Sequence, residues 1–157
     1  MKIALVQTGK TTDKDVSGIA DLYLLRIRKY VSFDIITLSD IKNSGNLPIP
    51  EQKKKEGEKI IRSVSNDDYI VLLDEKGKEF RTVEFSRWME KTFMISSKRV
   101  VFVIGGAWGF SEEVYNRADL LISLSKMTFP HQLVRLLFLE QLYRVFTIIR
   151  GEPYHHE

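Results

Sequence analysis

Residues 100–113 read VVFVIGGAWGFSEE, and this stretch determines the class of fold. The apolar run 100–104 has no polar alternation, which predicts a strand buried on both faces. Gly105, Gly106 and Gly109 follow as a turn. Ser111 is then a suitable helix N-cap, with carboxylates in the first helical turn. A doubly buried strand that leads directly into a helix indicates a parallel α/β sheet.

The same alternation of strands and helices extends along the chain. Strands are predicted at residues 2–8, 33–38, 69–73, 100–104 and 120–124. Helices are predicted at about residues 16–31, 51–64, 82–96, 111–118 and 130–150, and the charged residues 74–78 are predicted to form a loop. We therefore expect one α/β domain over residues 1–157, a parallel sheet covered on both faces, with residues 151–157 as a functional C-terminal tail.

Composition narrows the function classes. The 157 residues contain no cysteine, which excludes disulfide scaffolds, iron–sulfur clusters and cysteine nucleophiles. The three histidines lack metal-ligand spacing, so we expect no metal site. A net charge of +3 gives only a weak attraction for nucleic acid. No apolar run is long enough for a signal peptide or a membrane span, so we expect a cytoplasmic protein.

Three loops are candidate ligand sites. In parallel α/β sheets, ligands bind beyond the carboxyl ends of the strands. The loops after Leu73, Ile104 and Leu124 lie at such ends and have suitable compositions. Gly105 and Gly106 would let a ligand approach the backbone closely, although a tight turn without a ligand is an equally good interpretation.

A phosphate-binding loop is the main alternative at the N-terminus. Residues 4–11, ALVQTGKT, nearly match G-x-x-x-x-G-K-[ST], and Asp74 could act as the magnesium acid. However, the first glycine of that motif must lie outside the strand, and Ala4 lies inside it. A nucleotide-binding protein therefore remains an alternative.

The C-terminal region suggests both a dimer and a nucleic-acid partner. The last helix is apolar around most of its circumference, so its surplus face favours a homodimer, unless the helix is wholly buried in its own domain. Cationic and aromatic residues alternate toward the end of the chain, a combination that suits a phosphate backbone and a stacked base. They are Arg135, Tyr143, Arg144, Arg150, Tyr154 and His155. A solvated helix face followed by a frayed tail is the alternative.

Several motifs resemble those of a known family. They are MTFPHQLVR at 127–135, EQLYR at 140–144, GEPYHHE at 151–157, LLDEKG at 72–77 and IGGAWG at 104–109. Over its whole length the chain resembles the ribosomal RNA large-subunit methyltransferase H family of the SPOUT superfamily. This resemblance implies a homodimeric α/β domain with a C-terminal trefoil knot. It also implies S-adenosylmethionine-dependent methylation of N3 of a pseudouridine in 23S rRNA, on the assembled ribosome. A ribosome-binding module without enzymatic activity is the alternative.

The resemblance also implies site residues. The cofactor pocket would comprise Leu73, Gly105, Gly106, Leu124, Ser125, Lys126, Met127, Thr128 and Phe129. For catalysis we expect His155 to act as the base, Arg144 to stabilise the developing oxyanion or bind a phosphate, and Tyr154 to stack on or hydrogen-bond the base. Arg135, Arg144 and Tyr154 are the predicted RNA contacts. One subunit would contribute its tail to the pocket of the other.

Overall fold

The computed structural model describes residues 1–95 and 98–157, and it contains five strands and five α-helices. The strands are β1 (Lys2–Thr8), β2 (Ser32–Leu38), β3 (Tyr69–Glu79), β4 (Val100–Ile104) and β5 (Leu120–Ser123). The helices are α1 (Lys14–Ile27), α2 (Ile49–Ser63), α3 (Thr82–Ile95), α4 (Glu112–Arg117) and α5 (His131–Ile149), with a 3-10 turn at Ser44–Asn46. The predicted end of the third helix, at Ser96, lies outside the described residues.

All five strands are parallel and form one sheet in the order β2-β1-β4-β3-β5. β4 lies at its centre, and every residue of this strand is buried. Successive side chains of β4 enter two different cores, because strand residues alternate between the faces of a sheet. Phe102 packs with Phe138 of α5, whereas Val103 packs in the core that contains Ile60 of α2. The predicted parallel α/β fold is confirmed.

The third strand differs from its prediction. Residues 74–78 belong to β3, so the prediction of a charged loop there was wrong. β3 pairs with β4 only as far as Leu73, opposite Ile104, and its distal part pairs with β5 alone after an irregularity. With one flank open to solvent, this part tolerates charged residues. Gly77 is required there, because a Cβ would lie 2.5 Å from the backbone nitrogen of Ile122.

The strand order determines where a site can form. β4, β3 and β5 are neighbours, so the segments that follow Ile104, Leu73 and Ser123 meet at one edge of the sheet. α1 and α5 lie against each other on one side of the sheet. The trefoil knot stays a prediction. Among residues 1–95 and 98–157, no helix is long and apolar enough to cross a membrane.

Candidate active site

The carboxyl ends of β3, β4 and β5 surround a cleft of about 430 Å³. This volume lies within the range of about 300–1,000 Å³ that is usual for small-molecule sites. All of the predicted cofactor residues except Lys126 line the cleft: Leu73, Gly105, Gly106, Leu124, Ser125, Met127, Thr128 and Phe129. The structure thus brings together the three loops that the sequence singled out. Lys53 and Trp108, which the sequence did not single out, also line it.

The glycine loop, residues 105–110, forms one wall of the cleft. Gly109 has a positive φ of 80° and donates its N–H to the carbonyl of Gly106 over 3.3 Å, which closes a turn. A Cβ on Gly105 would lie 2.9 Å from the ring of Phe110, which is buried. The loop ends at Ser111, whose Oγ accepts from the N–H of Val114 over 3.4 Å as the predicted N-cap of α4. Glycine is therefore required at 105 for steric reasons and favoured at 109 by its φ.

Two carboxylates, Asp74 and Glu75, belong to a second wall of the cleft. Asp74 accepts a short hydrogen bond from the hydroxyl of Tyr115 and another, of 2.8 Å, from the N–H of Lys76. Burial, together with the hydrogen bond to Asp74, raises the pKa of Tyr115 to about 12, so this phenol stays neutral and donates. Glu75 lies beside Asp74, and Lys53 and Lys76 also line the cleft, so the lining carries charges of both signs.

The third wall is the segment between β5 and α5. Ser123 donates its hydroxyl to the carbonyl of Ser125 over 3.0 Å, and the Oγ of Ser125 accepts from the N–H of Met127 over 3.0 Å. These two bonds determine the path of the segment. Phe129 is half-buried, whereas the side chain of Met127 is 75% exposed. The segment therefore gives the cleft an apolar wall with an open rim.

The loop between β1 and α1 does not form a phosphate cradle. Gly9 donates its N–H to the carbonyl of Leu38 over 2.7 Å. The amides of Thr12 and Asp13 both donate to Oε1 of Gln132, over 3.1 and 3.2 Å. Amides that a phosphate would need are thus bonded within the chain, which argues against the nucleotide-binding alternative.

Arg135 is part of the same arrangement. Its guanidinium donates to the carbonyl of Thr8 and to Oγ1 of Thr11, the latter over 3.1 Å. Arg135 is only 2% exposed, and this burial lowers the pKa of its guanidinium. An RNA contact would require this buried guanidinium to leave its partners in the chain, and the RNA contact by Arg135 stays a prediction. We assign this residue to anchoring α5 on the β1–α1 loop.

The other end of α5 brings together the three residues predicted to be catalytic. We call Glu140, Arg144, Tyr154 and His155 the tail cluster. Glu140 Oε1 accepts from Arg144 Nε over 3.0 Å and from the hydroxyl of Tyr154 over 3.3 Å. The guanidinium carbon of Arg144 lies 4.7 Å from the ring centroid of Tyr154 and its Nη1 lies 3.4 Å from His155 Nδ1. The sequence had indicated Glu140 only as an acid among cations, without this orienting role.

The contacts within the tail cluster keep Tyr154 protonated and cover the ring nitrogens of His155. A hydrogen bond with Tyr23, and then burial, raise the pKa of Tyr154 to about 12, so its hydroxyl is a neutral donor. Arg144 can only donate, so its contact with Nδ1 of His155 is a hydrogen bond when that nitrogen accepts. Nε2 is buried and has no hydrogen-bond partner among the described residues. Arg144 therefore covers Nδ1 of His155, and the protein buries Nε2.

The tail is held against the body of the protein rather than frayed. Tyr30 donates its hydroxyl to Glu152 Oε2 over 2.6 Å, and this bond raises the pKa of Tyr30. The ring of Tyr30 also stacks on Phe146, with the ring centroids 5.8 Å apart. Near the last residue, Arg81 pairs with Glu157 over 3.4 Å.

The cleft and the tail cluster lie far apart within one chain. His131, at the start of α5, lines the cleft, and Arg144 lies thirteen residues further along the same helix. An α-helix rises 1.5 Å per residue, so the two points are separated by about 20 Å. One chain therefore does not bring its own tail cluster to its own cleft.

Comparisons with known proteins agree on one family. A family model described as predicted SPOUT methyltransferase matches residues 1–155. The chain is 52% identical over 156 residues to ribosomal RNA large subunit methyltransferase H of Christiangramia forsetii, covering 99% of each protein. It is 50% identical to the protein of the same name from Parabacteroides distasonis, covering 100% of both.

Two solved structures are similar in fold. One is a tRNA (m1G37) methyltransferase from Aquifex aeolicus, with a TM-score of 0.58 and 15% identity, covering all of this chain and 76% of that one. The other is a putative methyltransferase from Legionella pneumophila with bound SAM, with a TM-score of 0.50 and 12% identity, covering 92% of this chain and 66% of that one. At these identities the likeness concerns the fold alone.

Proposed function

This chain belongs to the SPOUT methyltransferase family, and we propose that it transfers the methyl group of S-adenosylmethionine to N3 of a pseudouridine in 23S rRNA. The relatives that share about half of its residues are named ribosomal RNA large subunit methyltransferase H, which supports rRNA as the substrate. The observation that carries the proposal is that the ends of three adjacent strands surround one common cleft.

The residues of the cleft fit this cofactor. S-adenosylmethionine supplies an electrophilic methyl group on a cationic sulfonium. Asp74 and Glu75 are the carboxylates of a lining that also holds Lys53 and Lys76, and they are the groups that would attract such a cation. Leu73 and Phe129 provide apolar surface for an adenine ring. Gly105 and Gly106 let the adenosine part approach the backbone. The role of these residues is to hold the methyl group in line with the nucleophile and to exclude water.

The tail cluster provides groups for the RNA side of the reaction. The weakly acidic N3 proton of the base must leave for N3 to attack, and His155 is the residue we assign to accept it. Arg144 would stabilise negative charge on the pyrimidine ring. Tyr154, which remains protonated, would hydrogen-bond the base or stack on it. This assignment requires the contact between Arg144 and His155 to open when RNA binds.

Because the cleft and the tail cluster are about 20 Å apart in one chain, the complete site requires a second copy. Three apolar side chains on one face of α1 support a homodimer: Ile19, Leu22 and Leu25 are 46%, 46% and 63% exposed. They lie three residues apart, on the helix that packs beside α5. A two-fold dimer would create two equivalent sites, each with the cleft of one subunit and the tail of the other.

Substrate recognition would depend on the assembled ribosome. A net charge of +3 gives little sequence-independent attraction to RNA. Other ribosomal surfaces would then complete the site, and a cytoplasmic location follows from such a substrate. The trefoil knot near the C-terminus is part of the same proposal.

Two measurements test the function. Calorimetry should show S-adenosylmethionine binding with one site per chain. Methyl transfer should then be compared on intact ribosomes and on an isolated stem-loop, and the ribosome should be the better substrate by a large factor. A chain that binds no S-adenosylmethionine would contradict the proposal. Equal methyl transfer to ribosomes and to the isolated stem-loop would contradict the role of the ribosome.

A further inference from the structure

We propose that Glu56, on α2 and outside the cleft, is a positioning residue that fixes the glycine loop in the conformation that binds the cofactor. This inference rests on the proposed function. It concerns a side chain that the sequence did not distinguish from the other charged residues of α2.

The contacts of Glu56 join two strand ends. Its Oε1 accepts from the N–H of Gly106 over 2.7 Å and from the hydroxyl of Thr8 over 3.4 Å. Gly106 belongs to the glycine loop after β4, and Thr8 is the last residue of the neighbouring strand β1. A hydrogen bond from an amide to a charged carboxylate is stronger than one between neutral groups. Glu56 therefore links the start of the glycine loop to the C-terminal end of β1 through two hydrogen bonds.

The Glu56 carboxylate and the backbone of Gly106 are in close contact, with no space for a side chain between them. A Cβ on Gly106 would lie 2.7 Å from Oε2 of Glu56, closer than real Cβ contacts. The next residue of α2, Gly57, is equally close to the other end of the loop: its Cβ would lie 2.2 Å from Oγ of Ser111. Ser111 is the N-cap of α4. Two successive residues of α2 thus rest on both ends of the glycine loop.

The hydrogen bond from Gly106 to Glu56 should affect cofactor affinity. Without an acceptor at position 56, the N–H of Gly106 loses its partner and the loop gains freedom that cofactor binding must then remove. The loss should appear in the affinity for S-adenosylmethionine rather than in the chemical step, because Glu56 does not line the cleft. The KM for the cofactor should rise while kcat at saturation changes little.

Calorimetry and steady-state kinetics on ribosomes test the proposal. Glu56→Ala should weaken S-adenosylmethionine binding about tenfold and raise KM by a similar factor. Glu56→Gln keeps an acceptor oxygen, so its affinity should stay within about threefold of the wild type. Glu58→Ala removes a carboxylate two residues away that lines a separate groove, and it should bind like the wild type. If Glu56→Ala does not fold, Glu56→Asp, whose carboxylate is one methylene shorter, should show the weakened binding instead.

A double-mutant cycle separates positioning from a general loss of structure. Gly106→Ala should weaken binding because its new methyl group collides with Glu56. In the Glu56→Ala background the collision is gone, so the combined loss should be clearly smaller than the product of the two single losses. The inference would be overturned if the losses of the two single variants simply multiplied in the double variant, or if Glu56→Ala bound the cofactor with wild-type affinity. It would also be overturned if Glu56→Gln bound as weakly as Glu56→Ala. If the wild-type protein binds no cofactor, the proposed function fails, which is a different result.

Discussion

Nη1 of Arg135 donates to Oγ1 of Thr11 over 3.1 Å and so joins the first half of α5 to the loop that follows β1. The same guanidinium reaches the carbonyl of Thr8. These contacts connect residues more than 120 positions apart in the chain. They stabilise the β1–α1 loop, which the nucleotide-binding alternative would use for a phosphate. They also occupy Arg135, which the resemblance assigns to an RNA contact.

Arg135→Ala should lower the free energy of unfolding by about 3 kcal/mol, because the carbonyl of Thr8 loses a charged donor and a cavity forms around a buried side chain. Urea denaturation followed by circular dichroism measures the change. Arg150→Ala, which removes an exposed arginine just beyond the same helix, should change the stability by less than about 0.5 kcal/mol. Equal stability of the two variants would show that the Arg135 contacts contribute nothing.

Gly105→Val should weaken S-adenosylmethionine binding by at least about tenfold, because even a Cβ at this position would lie 2.9 Å from the buried ring of Phe110. Calorimetry measures the affinity. Lys10→Ala is the control, since Lys10 lies in the loop that the phosphate-binding alternative would use, and it should bind the cofactor normally. ATP affinity that disappears in Lys10→Ala would favour that alternative.

His155→Ala and Arg144→Ala should each lower kcat on ribosomes by about a hundredfold, the usual size of a general-base or oxyanion contribution. Their affinity for S-adenosylmethionine should remain within about threefold of the wild type, because we assign these side chains to the RNA base and not to the cofactor. Tyr154→Phe retains the ring but removes the hydroxyl, which separates stacking from hydrogen bonding. Unchanged kcat in both His155→Ala and Tyr154→Phe would refute the role of the tail.

Mixing the Gly105→Val and His155→Ala chains tests the composite site. In a mixed dimer, the intact cleft of the His155→Ala chain meets the intact tail of the Gly105→Val chain, so one of its two sites functions. With half of the dimers mixed, about a quarter of the wild-type activity should return. If each chain used its own tail, no mixed dimer would contain an intact site and mixing would restore nothing.

Acid stability should depend on Asp68, which is 5% exposed and paired with Arg99. Burial alone would raise the pKa of this carboxyl, but hydrogen bonds from Arg99 and from the N–H of Ser65 hold it below its ordinary value. The stabilisation is therefore present above the unfolded pKa of about 4 and disappears as the pH falls through the lower folded pKa. Asp68→Asn should be less stable than the wild type at pH 7 and lose less stability below pH 4. Urea titrations across this range should show the two stability curves converging, and parallel curves would count against the assignment.

The sequence by itself determined the sheet and the position of the cleft. The run Val100–Ile104 indicated a doubly buried strand because burial on both faces leaves no polar alternation. Three loops could then be selected without coordinates, since parallel strands end at the same edge of a sheet. Their residues do line one cleft, although their role in cofactor binding stays a prediction.

Only the tertiary structure decided which charged residues face solvent and which chain segments meet. Residues 74–78 belong to β3, whose pairing with β5 resumes at Lys78 after an irregularity that local charge cannot reveal. The partners of Arg135 and Glu56 lie 124 and 50 residues away, at Thr11 and Gly106, so no local pattern could identify them. The distance between the cleft and the tail cluster likewise follows from the length of α5, and our proposal of a second subunit rests on this distance.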